Sequence, residues 1–234
     1  MRKRAGYGTW AFVLLCAATA QAGHVGPDGW EQISDKEGVR VFRRSVPGSP
    51  LKSMKGVGVV DAPVATVALV LLDDARAAEW VDSLAESRVV RTLSAHEYIE
   101  YNHVSMPWPV RDREFVTRVE LSGNPATQTA VIRARPATEE NIAARPKIIR
   151  GELTSYYELK AVDGGKHTLL SIELHSDPKG SIPAWVVNLF QKDWAHETMR
   201  GIRKQVKKTD LKPPHEFEAY LGELAFTAPP AAAP

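Results

Sequence analysis

"DPKGSIPAWVVNLFQKDWAHETMRGIRKQVKK", residues 177–208, carries the decision about the fold. A proline and a glycine end whatever precedes it, and Ser181 stands where a helix cap belongs. Apolar residues then recur at 182, 185, 186, 189, 195, 199, 202 and 206, the spacing of one helix face. The pattern predicts an amphipathic helix of about 28 residues. In its first half Trp185, Phe190 and Trp194 join Ile182, Val186 and Leu189, so almost the whole circumference is apolar, while Arg200, Arg203, Lys204, Lys207 and Lys208 crowd the far end. A helix of that kind must be enclosed, by protein or by lipid.

The residues upstream supply the enclosure. From Ser87 to Ser176 the hydrophobic pattern has period two, in runs such as "EYIEYNHVS", "REFVTRVEL" and "HTLLSIELHS", with turns marked by Gly123-Asn124-Pro125 and Gly164-Gly165. This is an antiparallel meander. Nearer the start, 28–35 reads as a short helix capped by Asp28, and 39–46 with 51–60 as a hairpin around "PGSP". Residues 61–74 read as a helix with Asp61 as N-cap, and "ARAAEWVD" as a second short one. Gly56 and Gly58, inside a strand, are read as relief of sheet curvature. Strands bracketed by helices predict an α+β domain in which a curved antiparallel sheet wraps the terminal helix.

At 234 residues, 44% hydrophobic and 25% charged, the chain has enough apolar content for one domain with a core. Residues 1–22 stand apart: Arg2, Lys3 and Arg4 precede an apolar run, and Ala20-Gln21-Ala22 has the small-x-small form of a cleavage site. They are read as a secretory signal peptide, with export to a periplasm or the exterior as the expectation. The single cysteine, Cys16, falls inside it, so a mature chain has no thiol to pair in an oxidising compartment. Its removal takes three of 30 basic residues and none of 28 acidic ones, leaving a net charge of −1. Nucleic acid binding then loses its electrostatic basis. The domain is expected to occupy 23–212. Residues 213–234, ending in "TAPPAAAP", read as a mobile Pro/Ala-rich tail in which Phe217, Tyr220 and Leu221 have the bulk to dock back.

A second stretch, "SMPWPVRDREFV" at 105–116, reads as a joint. Pro107 and Pro109 bar ladder pairing, Trp108 covers apolar surface, and Arg111 to Glu114 make exposed ion pairs worth at most about 1 kcal/mol each. Phe115, Thr117 and Val119 then share one strand face. Taken with "RAAEWVD" and "DPKGSIPAWVVNLFQKD", this stretch resembles the START (steroidogenic acute regulatory protein-related lipid transfer) domain family, as an exported bacterial-type member, over residues 29–208. The resemblance implies a helix-grip fold: a sheet of about nine strands, a C-terminal helix as lid, and an enclosed hydrophobic tunnel for one lipid. It also places 137–151 where the family has an omega loop that gates the tunnel together with the helix. In the sterol-binding branch an acidic residue pairs with an arginine in the tunnel; here Glu86 lies near the acidic place and Val119 at the arginine's.

On this reading the protein binds, and transfers, a single phospholipid, sterol or related molecule without catalysis, cofactor or metal, as a monomer in transient contact with a membrane surface. The candidate wall and lid residues are Trp80, Tyr98, Tyr101, Met106, Phe115, Val119, Ile142, Trp185, Val186, Leu189 and Phe190. Arg200, Lys204, Lys207 and Lys208 are the candidates for docking on anionic head groups. The alternatives are a helix-grip enzyme of cyclase or hydrolase type, with His103 as its most testable group, and a lipid sensor that binds without transfer. No His-Glu-x-x-His, Gly-x-Ser-x-Gly or phosphate-loop motif occurs.

Overall fold

The computed structural model describes residues 28–81, 83–138, 142 and 145–224, with the backbone alone at 184–186 and 188–192. The signal peptide expected at 1–22 and the end of the tail from 225 lie outside the described residues. Ten strands form one sheet: β1 (Glu31–Lys36), β2 (Val39–Ser45), β3 (Lys52–Val60), β4 (Leu84–Ser94), β5 (Glu97–Val104), β6 (Arg113–Asn124), β7 (Thr129–Pro136), β8 (Ile149–Arg150), β9 (Glu152–Val162) and β10 (His167–Asp177). Their order is β1-β2-β3-β10-β9-β7-β6-β5-β4, antiparallel throughout, with the short β8 parallel to the start of β6. Among the described residues three α-helices, α1 (Val64–Leu72), α2 (Ala184–Gln205) and α3 (Glu218–Glu223), pack with the inner face of this sheet.

The helix expected at 28–35 is instead β1. Glu37 and Gly38 both have positive φ, 54° and 66°, which closes a two-residue hairpin and pairs Lys36 with Val39. Strand pairing, reinforced by the Arg43–Glu31 ion pair at 2.8 Å, overrides the local helical signal. α1 begins after Pro63, not after Asp61: the Pro63 carbonyl accepts from the Thr66 and Val67 amides, and no side chain caps the end. Although rich in β-branched residues, α1 is held by burial of Val64, Val67, Ala68, Val70 and Leu72. "ARAAE" continues as a 3₁₀ turn over Asp74–Glu79.

α2 has 22 residues, fewer than the periodicity predicts, because Pro183 and not Ser181 stands at its start. Ala195, Met199 and Ile202 on α2 are fully buried against the sheet. At about 1.5–3 kcal/mol for burying each of the two larger side chains, this contact dominates the helix's attachment. Gly56 and Gly58 on β3 are what make it possible. A Cβ on Gly56 would stand 2.8 Å from the Ala195 Cβ, and one on Gly58 3.3 Å from the Met199 methyl. Their role is close approach of the helix rather than relief of curvature.

The chain beyond Lys212 packs on the same core. Phe217, Tyr220, Leu221 and Leu224 are buried, Phe217 lies 4.8 Å from the Tyr98 ring, and Tyr220 donates to the Ser122 carbonyl at 3.1 Å. The packed unit therefore runs to Leu224, and the expected tail is a docking segment over its first half.

Candidate functional site

Between the inner face of the sheet and α2 lies a cavity of about 430 Å³. Its long wall follows the β5–β6 ladder through the cross-strand pairs Val104–Arg113, Asn102–Phe115, Glu100–Thr117 and Tyr98–Val119. Even-numbered residues of β5 and odd-numbered residues of β6 face inward because side chains alternate along a strand. Trp80, Leu71 and Ala77 close one flank, and Leu153 and Tyr157 on β9 with Leu174 on β10 line the other. Pro107 is exposed to solvent and also part of the wall, and the wall residues Val110, Pro178 and Ile182 are half-buried. The cavity thus reaches the surface between the 105–112 loop and the 178–183 segment that leads into α2.

Arg113, Ser155 and Ser176 interrupt this apolar lining singly, and a denser polar spot surrounds Glu100. Glu100 accepts from Asn102 Nδ2 at 2.7 Å, from Thr117 Oγ1 at 3.3 Å and from Ser87 Oγ at 3.4 Å, and the Asp74 carboxyl hydrogen-bonds to it. Two carboxyls can meet only by sharing a proton. Burial, with the Glu100 charge beside it, pushes Asp74 up to about 9, so Asp74 holds that proton at neutral pH. Consistently, Asp74 Oδ2 is buried with no donor to accept from, which a protonated carboxyl tolerates. Burial raises Glu100 as well, opposed by its four donors, of which Asn102 is the strongest. Trp80 Nε1, another wall atom, is buried without a hydrogen-bond partner among the described residues.

The Arg111–Glu114 cluster does not form the exposed pairs expected of it. Arg113 is 2% exposed and Glu114 0%. Arg113, on the cavity side, donates to the carbonyls of Pro178 at 2.9 Å and Lys179 at 3.2 Å, fastening the segment that leads into α2. Glu114, on the outer side, accepts from Arg150 Nε at 2.9 Å and from Tyr101 Oη at 3.0 Å, fastening β8. Asp112 accepts from the Met106 amide at 3.0 Å and lies 2.9 Å from His103 Nε2. The motif is a junction holding three segments at the cavity mouth.

Of the residues expected in the wall, Trp80, Tyr98, Met106, Phe115 and Val119 line the cavity. Tyr101 and Ile142 do not: alternation turns Tyr101 to the outer face, where it is buried with Ile99 and Val116, and Ile142 packs on that same cluster. The guanidinium groups of Arg88 and Arg145 stand 4.9 and 4.8 Å from the Tyr101 ring centre. Arg145 also pairs with Glu86 at 2.8 Å, which fixes Arg145 beside the Tyr101 cluster. Glu86 is therefore not the cavity acid; Glu100 and Asp74 are. His103, the test residue of the enzyme alternative, lies on the outer parity as well. The side chains of Trp185, Val186, Leu189 and Phe190 lie outside the described residues. Val187 and Trp194 of α2 line the cavity and were not singled out.

Against the family models, the START domain matches residues 16–212. The chain belongs to the START domain family. Among relatives, an uncharacterized protein of Pseudomonas aeruginosa is 29% identical over 197 residues, covering 84% of this chain and 96% of that one. The human phosphatidylcholine transfer protein is 23% identical over 210 residues, 85% of this chain and 94% of its own. Among solved structures, the STAR-related lipid transfer protein (fragment 25–204) of Xanthomonas axonopodis superposes with a TM-score of 0.70 at 25% identity, over 77% of this chain and all of that one. The START fold, a large curved antiparallel sheet with a C-terminal helix, is what the chain adopts.

Proposed function

We propose that this START domain carries a single lipid in the cavity between sheet and α2, without chemistry, and delivers it from one membrane to another after export. The observation that carries the reading is the mostly apolar cavity with one mouth described above, whose size falls within the range of about 300–1,000 Å³ typical of small-molecule sites. The problem such a carrier solves is large. Two acyl chains of about 16 carbons leaving a bilayer expose methylenes at about 0.8 kcal/mol each, a barrier of roughly 26 kcal/mol. Unaided exchange at that barrier runs on the order of 10⁻⁷ to 10⁻⁶ per second.

The polar spot supports a finer assignment. The Asp74–Glu100 carboxyl pair lies about four residues, or roughly 13 Å, along β5 from Val104 at the mouth. Burial holds both carboxyls towards the neutral form, and the pair would orient a cargo group that hydrogen-bonds to it. Opening is assigned to α2 and its lead-in segment 178–183. Transfer is tested by following fluorescent phosphatidylcholine between donor and acceptor vesicles: a carrier accelerates exchange in proportion to protein concentration, whereas a sensor takes up the lipid without accelerating it.

A further inference from the structure

Trp108 is 93% exposed, whereas the next most exposed large apolar side chain among the described residues, Val59, is at 45%. Such exposure is costly for the largest apolar side chain unless something covers it. Its place says what does. Pro107 and Val110 on either side of it belong to the cavity wall, so Trp108 stands at the point where cargo enters and leaves. Pro107, Pro109 and Pro183 around this opening are exposed too. Two cations flank it: Arg111 and Lys147, joined by a bond from Arg111 Nε to the Lys147 carbonyl at 2.9 Å, both exposed and with no carboxylate in ion-pair range among the described residues.

We infer that the 105–112 loop is the membrane-docking surface, with Trp108 seated at the bilayer interface and Arg111 and Lys147 on anionic head groups. Tryptophan concentrates at that interface because it has an apolar ring and one polar N–H. The basic end of α2 is the weaker candidate. Arg200 pairs with Glu37, and Lys208 with Glu79. That end also lies a helix length, roughly 30 Å, from the lead-in segment at the mouth, several Debye lengths at physiological salt. The inference rests on the lipid-carrier reading but is tested separately from it.

The full chain is mixed with phosphatidylcholine vesicles doped with phosphatidylglycerol and containing brominated acyl chains, and tryptophan quenching is recorded for wild type and Trp108→Ser. Wild type is expected to be quenched more strongly than the variant, in which brominated lipid taken up beside the wall residues Trp80 and Trp194 still quenches those two. Arg111→Glu with Lys147→Glu is expected to weaken vesicle binding by about fivefold per charge, whereas Lys204→Glu with Lys207→Glu leaves it unchanged. Equal quenching in wild type and Trp108→Ser, no quenching in either, or loss of binding only in the α2 variant would overturn the docking surface. Lipid found in the native mass spectrum of wild type and of Trp108→Ser keeps the carrier reading intact in those cases; an empty wild type removes the carrier reading itself.

Discussion

The carboxyl groups of Asp74 and Glu100, 26 residues apart in the chain, are brought together in the wall of one apolar cavity by the turn after α1 and the middle of β5. Asp74 is held up at about 9, against 3.8 for an ordinary aspartate. Folded protein therefore binds a proton that unfolded chain releases between those values. Its contribution to stability is fully present below about pH 4 and is lost as pH rises towards 9, at a limiting slope of about 1.4 kcal/mol per pH unit. Asp74→Asn keeps a donor for Glu100 and removes the titration. Urea unfolding of this variant is expected to show a gain over wild type that grows as pH rises from 4 to 8, by at most about 1.4 kcal/mol per pH unit, and that vanishes near pH 4. A gain of equal size at both would show that titration of Asp74 is not its source.

Glu114 is wholly buried and bonded to Arg150, whose side chain is 30% exposed. Removing one partner of a buried pair costs about 3–5 kcal/mol, and access of Arg150 to water places this case at the lower end. Glu114→Ala is expected to lose about 3 kcal/mol in urea unfolding. Hydrogen exchange should rise first at 145–151, since that segment is what the pair fastens. Protection lost uniformly along the sheet would argue against a local clasp.

Gly201 lies on α2 where a Cβ would run into the backbone carbonyl of Trp80. An alanine in a helix is ordinarily worth up to about 1 kcal/mol over glycine. Here the overpacking term of about 1–3 kcal/mol opposes it, and backbone cannot step aside as a flexible side chain does. Gly201→Ala is expected to lower the melting temperature. Gly222→Ala on α3, with nothing within 4 Å of the added methyl, should raise it slightly. If both variants gain stability, α2 does not pack against Trp80 as described.

Much of this was legible before any coordinates. Period-two runs located the meander, and the all-round apolar start of residues 182–194 identified the helix a sheet must grip. Alternation along "EYIEYN" also put Tyr98 and Glu100 on one face, which is the cavity face; including Tyr101 in the wall ignored that rule. Asp74 escaped notice because an aspartate after an apolar helix reads as its end. What marks it is the distant Glu100. The burial of Arg113 and Glu114 was hidden for the same reason: their partners Pro178 and Arg150 lie 65 and 36 residues away, and a run of four charges looks solvated until those segments fold over it. β1 is the element that the local pattern hides, because its strand character comes from the Glu37-Gly38 turn and the pairing with β2.

The most direct measurement of the central claim is native mass spectrometry of the protein purified from its own cell envelope, beside Ala134→Trp. Ala134 lines the cavity and is 7% exposed, so the indole at this position occupies the space assigned to cargo. The account predicts one lipid per wild-type chain, identifiable after release, and none or much less in Ala134→Trp that still melts cooperatively. A wild-type protein that emerges empty and takes up no added lipid, or a variant that carries as much lipid as wild type, would contradict it.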